Sequence, residues 1–149
     1  MTTIAANREC IAGDSQCSMD SAPGFLTPKL FTVERSVYGL AGDNWSNVFI
    51  DWAKTGFNEK KKPPYVGGDI DFAVLELSPT GLHIWDSHWV RIDIKNDNYA
   101  IGSGAKYAVL LMRKYNMSPK EAVEVCCEYD DYTRGPVDVM YLPKEVKKK

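Results

Sequence analysis

The chain has 149 residues, 44% of them hydrophobic and 26% charged, with a formal net charge of −2. That length fits a single domain, residues 1–149, with enough interior for a real core, and the near-neutral balance excludes a general attraction to nucleic acid or to an anionic membrane. No apolar run approaches the about 20 residues of a membrane span, the start lacks the basic-then-apolar layout of a signal peptide, and Cys10, Cys17, Cys126 and Cys127 show no C-x-x-C spacing, so reduced thiols in a cytoplasmic protein are expected.

In chain order, two short apolar runs, 3–6 and 10–12, read as a strand pair around the polar break Asn7-Arg8-Glu9. Residues 16–28 are rich in Ser, Asp, Pro and Gly and read as a loop longer than a tight hairpin. Strands are expected at 29–33 and 36–41, turned by Glu34-Arg35 and ending at Gly42. A helix is expected over 43–54, capped by Asp43 or Asn44, because Trp45, Val48, Phe49 and Trp52 fall on one helical face before Gly56 ends it. Residues 58–68, with Lys60-Lys61-Lys62-Pro63-Pro64, read as an exposed loop.

Strands follow at 71–77, 82–85, 89–94 and 99–101, with Ser78-Pro79-Thr80-Gly81 as a turn. A helix at 105–115 offers Tyr107, Leu110, Leu111 and the stem of Lys114 as its apolar face. Ser118-Pro119-Lys120-Glu121 is a capping box opening a second helix at 122–130. A last strand covers 137–142, and the lysines at 144 and 147–149 read as a frayed end. The order is an α+β pattern rather than strict βαβ alternation. His83 and His88 lack the further ligands that a metal site needs, so strand-face packing with a surface role is expected, and no metal.

Thr2 follows the initiator methionine. Methionine is commonly trimmed before a small side chain. Its removal would leave an α-amine and a hydroxyl, a base and a nucleophile, on one residue. The plainer reading of these two residues is the start of an edge strand. The motifs farther along favour the first. Thr2-Thr3-Ile4 with Gly13-Asp14-Ser15, Lys29-Leu30-Phe31, Leu40-Ala41-Gly42, and Ile101-Gly102-Ser103-Gly104 followed by Asp130-Asp131-Tyr132-Thr133 each stand at the end of an expected element. With these motifs the chain resembles the proteasome β-subunit and HslV family of N-terminal-nucleophile hydrolases, in the family's order and over nearly the whole length.

The resemblance implies an α+β, four-layer αββα sandwich. The last two helices would form one layer and the helix from Asp43 the other, reduced layer. It also implies a set of roles. Thr2 matches the nucleophile, whose own α-amine, with a reference pKa of about 7.7–8.0, accepts the proton. Lys29 matches the buried lysine whose charge favours the alkoxide, and Asp14 the carboxylate that keeps it charged. Gly42 matches the backbone donor to the oxyanion. Ser103, Asp130 and Thr133 match the group that orients the amine, with threonine at 133 where the family more often has serine. Asp43 stands where the family often has a second glycine, and as a helix cap it would point away from the oxyanion. Cys17, Thr27, Phe31 and Leu40 fall where the family lines its substrate pocket.

Each residue also has a plainer reading. Asp14 and Lys29 read as an ion pair on a sheet surface, Gly42 as a strand-to-helix turn, Ser103 as a helix cap, and Asp130 as a solvated helix end. The expected activity is that of a threonine peptidase without a cofactor, cleaving peptides in the cytoplasm inside a self-assembled homo-oligomeric ring, with an AAA+ unfoldase ATPase as its partner. A non-catalytic ring or adaptor protein and an N-terminal-nucleophile amidohydrolase acting on a small amide are the alternatives.

Overall fold

The computed structural model describes residues 2–19, 22–42, 46–64 and 72–144. Met1, the proposed caps Asp43 and Asn44, Trp45 and the lysines at 147–149 lie outside the described residues.

The chain opens with β1 (Thr3–Asn7) and β2 (Cys10–Gly13). They pair antiparallel with Ile4 opposite Gly13, around a turn in which the Asn7 side chain accepts from the amides of Glu9 and Cys10. Residues 16–28 are not the loop expected from composition. They hold β3 (Gln16–Met19) and β4 (Ala22–Leu26), paired with each other with a register shift between Cys17 and Met19. Among the described residues this ribbon joins neither larger sheet, so Pro23 withdraws no amide from a central ladder. Both ends are tethered, by the Thr27 amide donating to Ser15 O and the Lys29 ammonium donating to Gln16 O.

β5 (Leu30–Val33), β6 (Ser36–Gly42), β7 (Phe72–Ser78), β8 (Gly81–Trp85) and β9 (Arg91–Ile94) form an antiparallel five-stranded sheet in that order. α1 (Ser46–Lys54) and a 3-10 turn (Glu59–Lys61) lie between β6 and β7 in the chain. β10 (Asn98–Gly102) pairs with β1, and β11 (Asp138–Tyr141) with β2, giving a second sheet ordered β10-β1-β2-β11. α2 (Ala105–Lys114) and α3 (Pro119–Tyr129) sit in the chain between β10 and β11. Ser118 caps α3 with both halves of the expected capping box formed. Among the described residues no helix is long and apolar enough to cross a membrane.

Strand alternation divides the interior. Ile4, Ala6 and Ile11 of the four-stranded sheet meet Leu30, Val37, Leu75, Leu77 and Leu82 of the five-stranded one. Ala5, Ala12 and Ala100 point the other way, onto Ala108 and Met112 of α2 and Ala122, Val123 and Cys126 of α3. Tyr38, Leu40, Val74 and Trp85 pack with Phe49, Ile50, Trp52 and Ala53 of α1. The aromatic rings there meet mostly edge to face, as Phe49 does with Trp85 at 5.4 Å between centroids.

The buried face of α2 differs from the expected one. Of the expected face Leu111 packs against the sheet, but Tyr107 and Leu110 are exposed, while Ala108 and Met112 are buried with Ala105 and Val109 packed alongside. The alanines of β1, β2 and β10 let the helix lie close to its sheet, and only small or slender side chains fit in that gap.

Candidate active site

The β1–β2 hairpin returns Asp14 to the start of β1. The Asp14 amide donates to Thr3 O at 3.3 Å, and the Thr3 amide donates to Asp14 Oδ1 at 3.1 Å. Asp14 is 1% exposed and Thr2 is 7% exposed. The same Oδ1 takes the Lys29 Nζ at 3.0 Å, and Oδ2 accepts the Arg134 amide at 3.2 Å. The carboxylate is thus held by one ammonium and two backbone donors. This differs from a surface ion pair, since Lys29 is itself buried and Nζ is held a second time by Gln16 O at 2.6 Å. A desolvated pair is tolerable only with such additional hydrogen bonds.

Lys29 enters the site because its carbonyl accepts the Leu40 amide at 3.0 Å, which fixes the residue before β5 against β6. Gly42 lies two residues beyond Leu40, about 7 Å along an extended strand. It ends β6 opposite Phe72, exposed and with φ of 105°, a backbone region that favours glycine.

On the other side of Thr2, the turn from β10 into α2 carries Ser103. Its amide donates to Thr2 O at 2.7 Å, and its hydroxyl lies 3.3 Å from the same oxygen and 2.6 Å from Asp130 Oδ2. The Thr133 hydroxyl donates a short hydrogen bond to that Oδ2 as well. Partial burial pushes the Asp130 pKa up, but the Ser103 and Thr133 hydroxyls and the Tyr132 backbone outweigh it and hold the carboxyl below its ordinary value. A carboxylate at the C-terminus of α3 runs against the helix dipole, and these donors explain how it is held. Arg134 takes a different part, through its amide to Asp14.

The structure therefore gathers Thr2, Asp14, Lys29, Ser103, Asp130 and Thr133 around the start of β1. Of the pocket positions, Cys17 pairs with Phe25 on the ribbon and Thr27 lies at its return. Phe31 is half-buried against the α1 aromatic cluster, and Leu40 is buried inside that cluster. Three residues that the motifs contain without an expected role also shape the site. Gly102 has φ of 95°, and a Cβ there would stand 1.8 Å from Thr2 O. A Cβ on Gly104 would stand 2.2 Å from Thr3 Oγ1. Thr3 itself bonds Thr133 and the Gly104 amide. The glycine spacing in Ile101-Gly102-Ser103-Gly104 was the available signal.

Elsewhere, His83 is buried rather than at the surface. Its Nδ1 lies 2.7 Å from Asp93 Oδ1 and its Nε2 2.8 Å from Ser78 Oγ. Ser78 Oγ also accepts the Thr80 amide and is buried under the β7–β8 turn, so this serine–histidine–aspartate chain ties the turn. Among the described residues no group of three or more His, Cys, Asp or Glu could hold a metal ion.

Neither a family model nor a curated protein matches the sequence. Solved structures do. BPH of Thiobacillus denitrificans superposes with a TM-score of 0.69 at 20% identity, covering 97% of this chain and 99% of that one. The same protein in complex with epoxomicin gives 0.68 at 19%, covering 96% and 99%. Eukaryotic HslV from Trypanosoma brucei gives 0.73 at 16%, covering 95% and 99%. These likenesses run over nearly the whole chain, and this chain has the fold of HslV and BPH.

Proposed function

We propose that this protein is a threonine peptidase of the HslV and proteasome β-subunit type, built as a four-layer αββα sandwich with one helical layer reduced to α1. Removal of Met1 frees Thr2. Its hydroxyl attacks the peptide carbonyl while its α-amine takes the proton. Lys29, kept charged by Asp14, favours the alkoxide, and the Gly42 amide receives the oxyanion. Ser103, Asp130 and Thr133 orient the amine. The protonated amine passes its proton to the departing peptide amine, and water then hydrolyses the threonyl ester. Cys17, Thr27 and Phe31, with Leu40 behind them, give the substrate pocket a largely apolar character. A cytoplasmic homo-oligomeric ring would enclose the site, and an AAA+ unfoldase ATPase would feed it.

The observation that carries this reading is the double use of Asp14 Oδ1, which holds the buried Lys29 ammonium at 3.0 Å and the amide next to Thr2 at 3.1 Å. A plain ion pair has no need to sit against the chain's first strand. Intact-mass measurement tests it. The expected spectrum lacks one methionine and, after incubation with epoxomicin, gains the full mass of the reagent, because addition to the ketone and opening of the epoxide expel no group. Retained methionine with no adduct points to the non-catalytic ring or adaptor instead. Hydrolysis of small acyl amides without hydrolysis of peptides points to the amidohydrolase. Light scattering should give a multiple of 16.7 kDa, and a monomer removes the ring from the proposal.

A further inference from the structure

Thr3, the neighbour of the proposed nucleophile, is wholly buried on the helix-facing side of β1, where Ala5 packs two residues on. Valine would fill such a strand position with the same volume and no hydroxyl to desolvate. The threonine hydroxyl is used twice instead. Thr3 Oγ1 lies 2.6 Å from Thr133 Oγ1 and 3.1 Å from the Gly104 amide, and the missing side chain at Gly104 is what leaves room for it.

Counting protons fixes the direction of this chain. The ionised Asp130 carboxylate only accepts, and each hydroxyl has a single proton to give. Ser103 and Thr133 both donate to Asp130 Oδ2. Thr133 Oγ1, its proton spent, accepts from Thr3, and Thr3 Oγ1 in turn accepts from the Gly104 amide. The order runs from Gly104 through Thr3 and Thr133 to Asp130, which Ser103 joins to the Thr2 carbonyl. On its backbone side Thr3 is bolted to Asp14.

We propose that Thr3 is a positioning residue for the Thr2 reaction: its hydroxyl sets Thr133 and Asp130 in the orientation that holds the α-amine, while its amide registers Thr2 against the Asp14–Lys29 pair. This rests on the reading of Thr2 as the nucleophile. The Thr3 hydroxyl is engaged by Thr133 and the Gly104 amide, and Thr3 links the two halves of the machinery through the strand that carries the nucleophile.

The test compares peptide hydrolysis and epoxomicin labelling in wild type, Thr3→Val and Thr3→Ser, with circular dichroism to check the fold. In Thr3→Val kcat should fall by about tenfold to a hundredfold, the scale of a displaced reacting group, with KM within about twofold. The acid limb of its kcat–pH profile should shift. Thr3→Ser should keep kcat within about threefold of wild type and the wild-type pH profile. If Thr3→Val does not fold, Thr3→Ala against Thr3→Ser makes the same comparison. A hydroxyl-free variant that is less stable but turns over like wild type overturns the inference, as does Thr3→Ser as impaired as Thr3→Val. A wild type that neither hydrolyses peptide nor takes the label removes the Thr2 reading itself, an outcome distinct from an active wild type with an unaffected Thr3→Val.

Discussion

Replacing Lys29 with methionine would leave the Asp14 carboxylate, 1% exposed, with two amide donors and no counter-charge. Removing one partner of a buried pair costs about 3–5 kcal/mol, because the other charge stays behind uncompensated. Urea denaturation of Lys29→Met should show a loss of that size. The double variant with Asp14→Asn should recover part of it, since a neutral amide no longer demands the ammonium. Neither variant should take the epoxomicin label. A Lys29→Met protein as stable as wild type would mean that the pair does not anchor the first strand. Asp130 gives a second prediction. Its folded pKa lies below the ordinary 3.8, so its stabilising contribution is fully present above about pH 3.8 and is lost as pH falls through the lowered folded value. In that window the unfolded chain binds the proton first. The stability gap between wild type and Asp130→Asn should be constant at neutral pH and close as acid is added. A gap that widens in acid would reverse the sign of the shift and exclude net stabilisation of the carboxylate by the hydroxyls.

At the scale of elements, α3 begins with a complete capping box. Ser118→Ala removes the acceptor for the Glu121 amide and should cost about 1 kcal/mol, seen as a fall in Tm of about 2–4 °C for a chain of this length. An unchanged Tm would mean that helix–sheet packing alone sets the start of α3. This cap was legible because its chemistry lies within four consecutive residues. The first strand pair was equally legible, since Asn7 supplies its own turn and Thr3, Ile4 and Ala5 alternate between the two sides of their sheet. The β3–β4 ribbon was not. Ser18, Pro23 and Gly24 carry no strand propensity, and the tethers that hold the ribbon, Ser15 O and the Lys29 ammonium, are contacts outside it. The face of α2 was misread for a related reason. Tyr107 and Leu110 dominate a count of hydrophobicity, yet the surface awaiting the helix is paved with Ala5, Ala12 and Ala100, and only the folded sheet reveals that small residues are required. In the site, Asp14, Lys29 and Ser103 could be read by their order along the chain. Gly102 and Gly104 acquire their meaning only from atoms about a hundred residues away in sequence, Thr2 O and Thr3 Oγ1.

Across the whole molecule, neighbouring residues of one strand belong to different cores: Ile4 packs between the sheets and Ala5 under the helices. An α2–α3 layer that peeled away would expose Ala5 and Cys126 without disturbing Ile4, so the thiols can distinguish local from global opening. Cys126 is fully buried, and its pKa is pushed up to about 11 by burial first and by the Asp130 charge next. Cys10 is buried and raised as well, by burial and then by Glu9. Cys17 lies half-buried on the ribbon. Cys127 is half-buried too, in α3. A disulfide reagent at about pH 8, where only the thiolate reacts, should therefore reach Cys17 and Cys127 before the buried Cys10 and Cys126. Cys10 opens β2 in the four-stranded sheet, and Cys126 lies in α3. If the three cores open together, both should become reactive with the same free energy and the same dependence on urea, equal to that of global unfolding. Reaction of Cys126 at low urea while Cys10 stays protected would show that the helical layer detaches by itself. In that event Ser103 and Asp130, which the same layer carries against Thr2, would leave the site before the fold is lost.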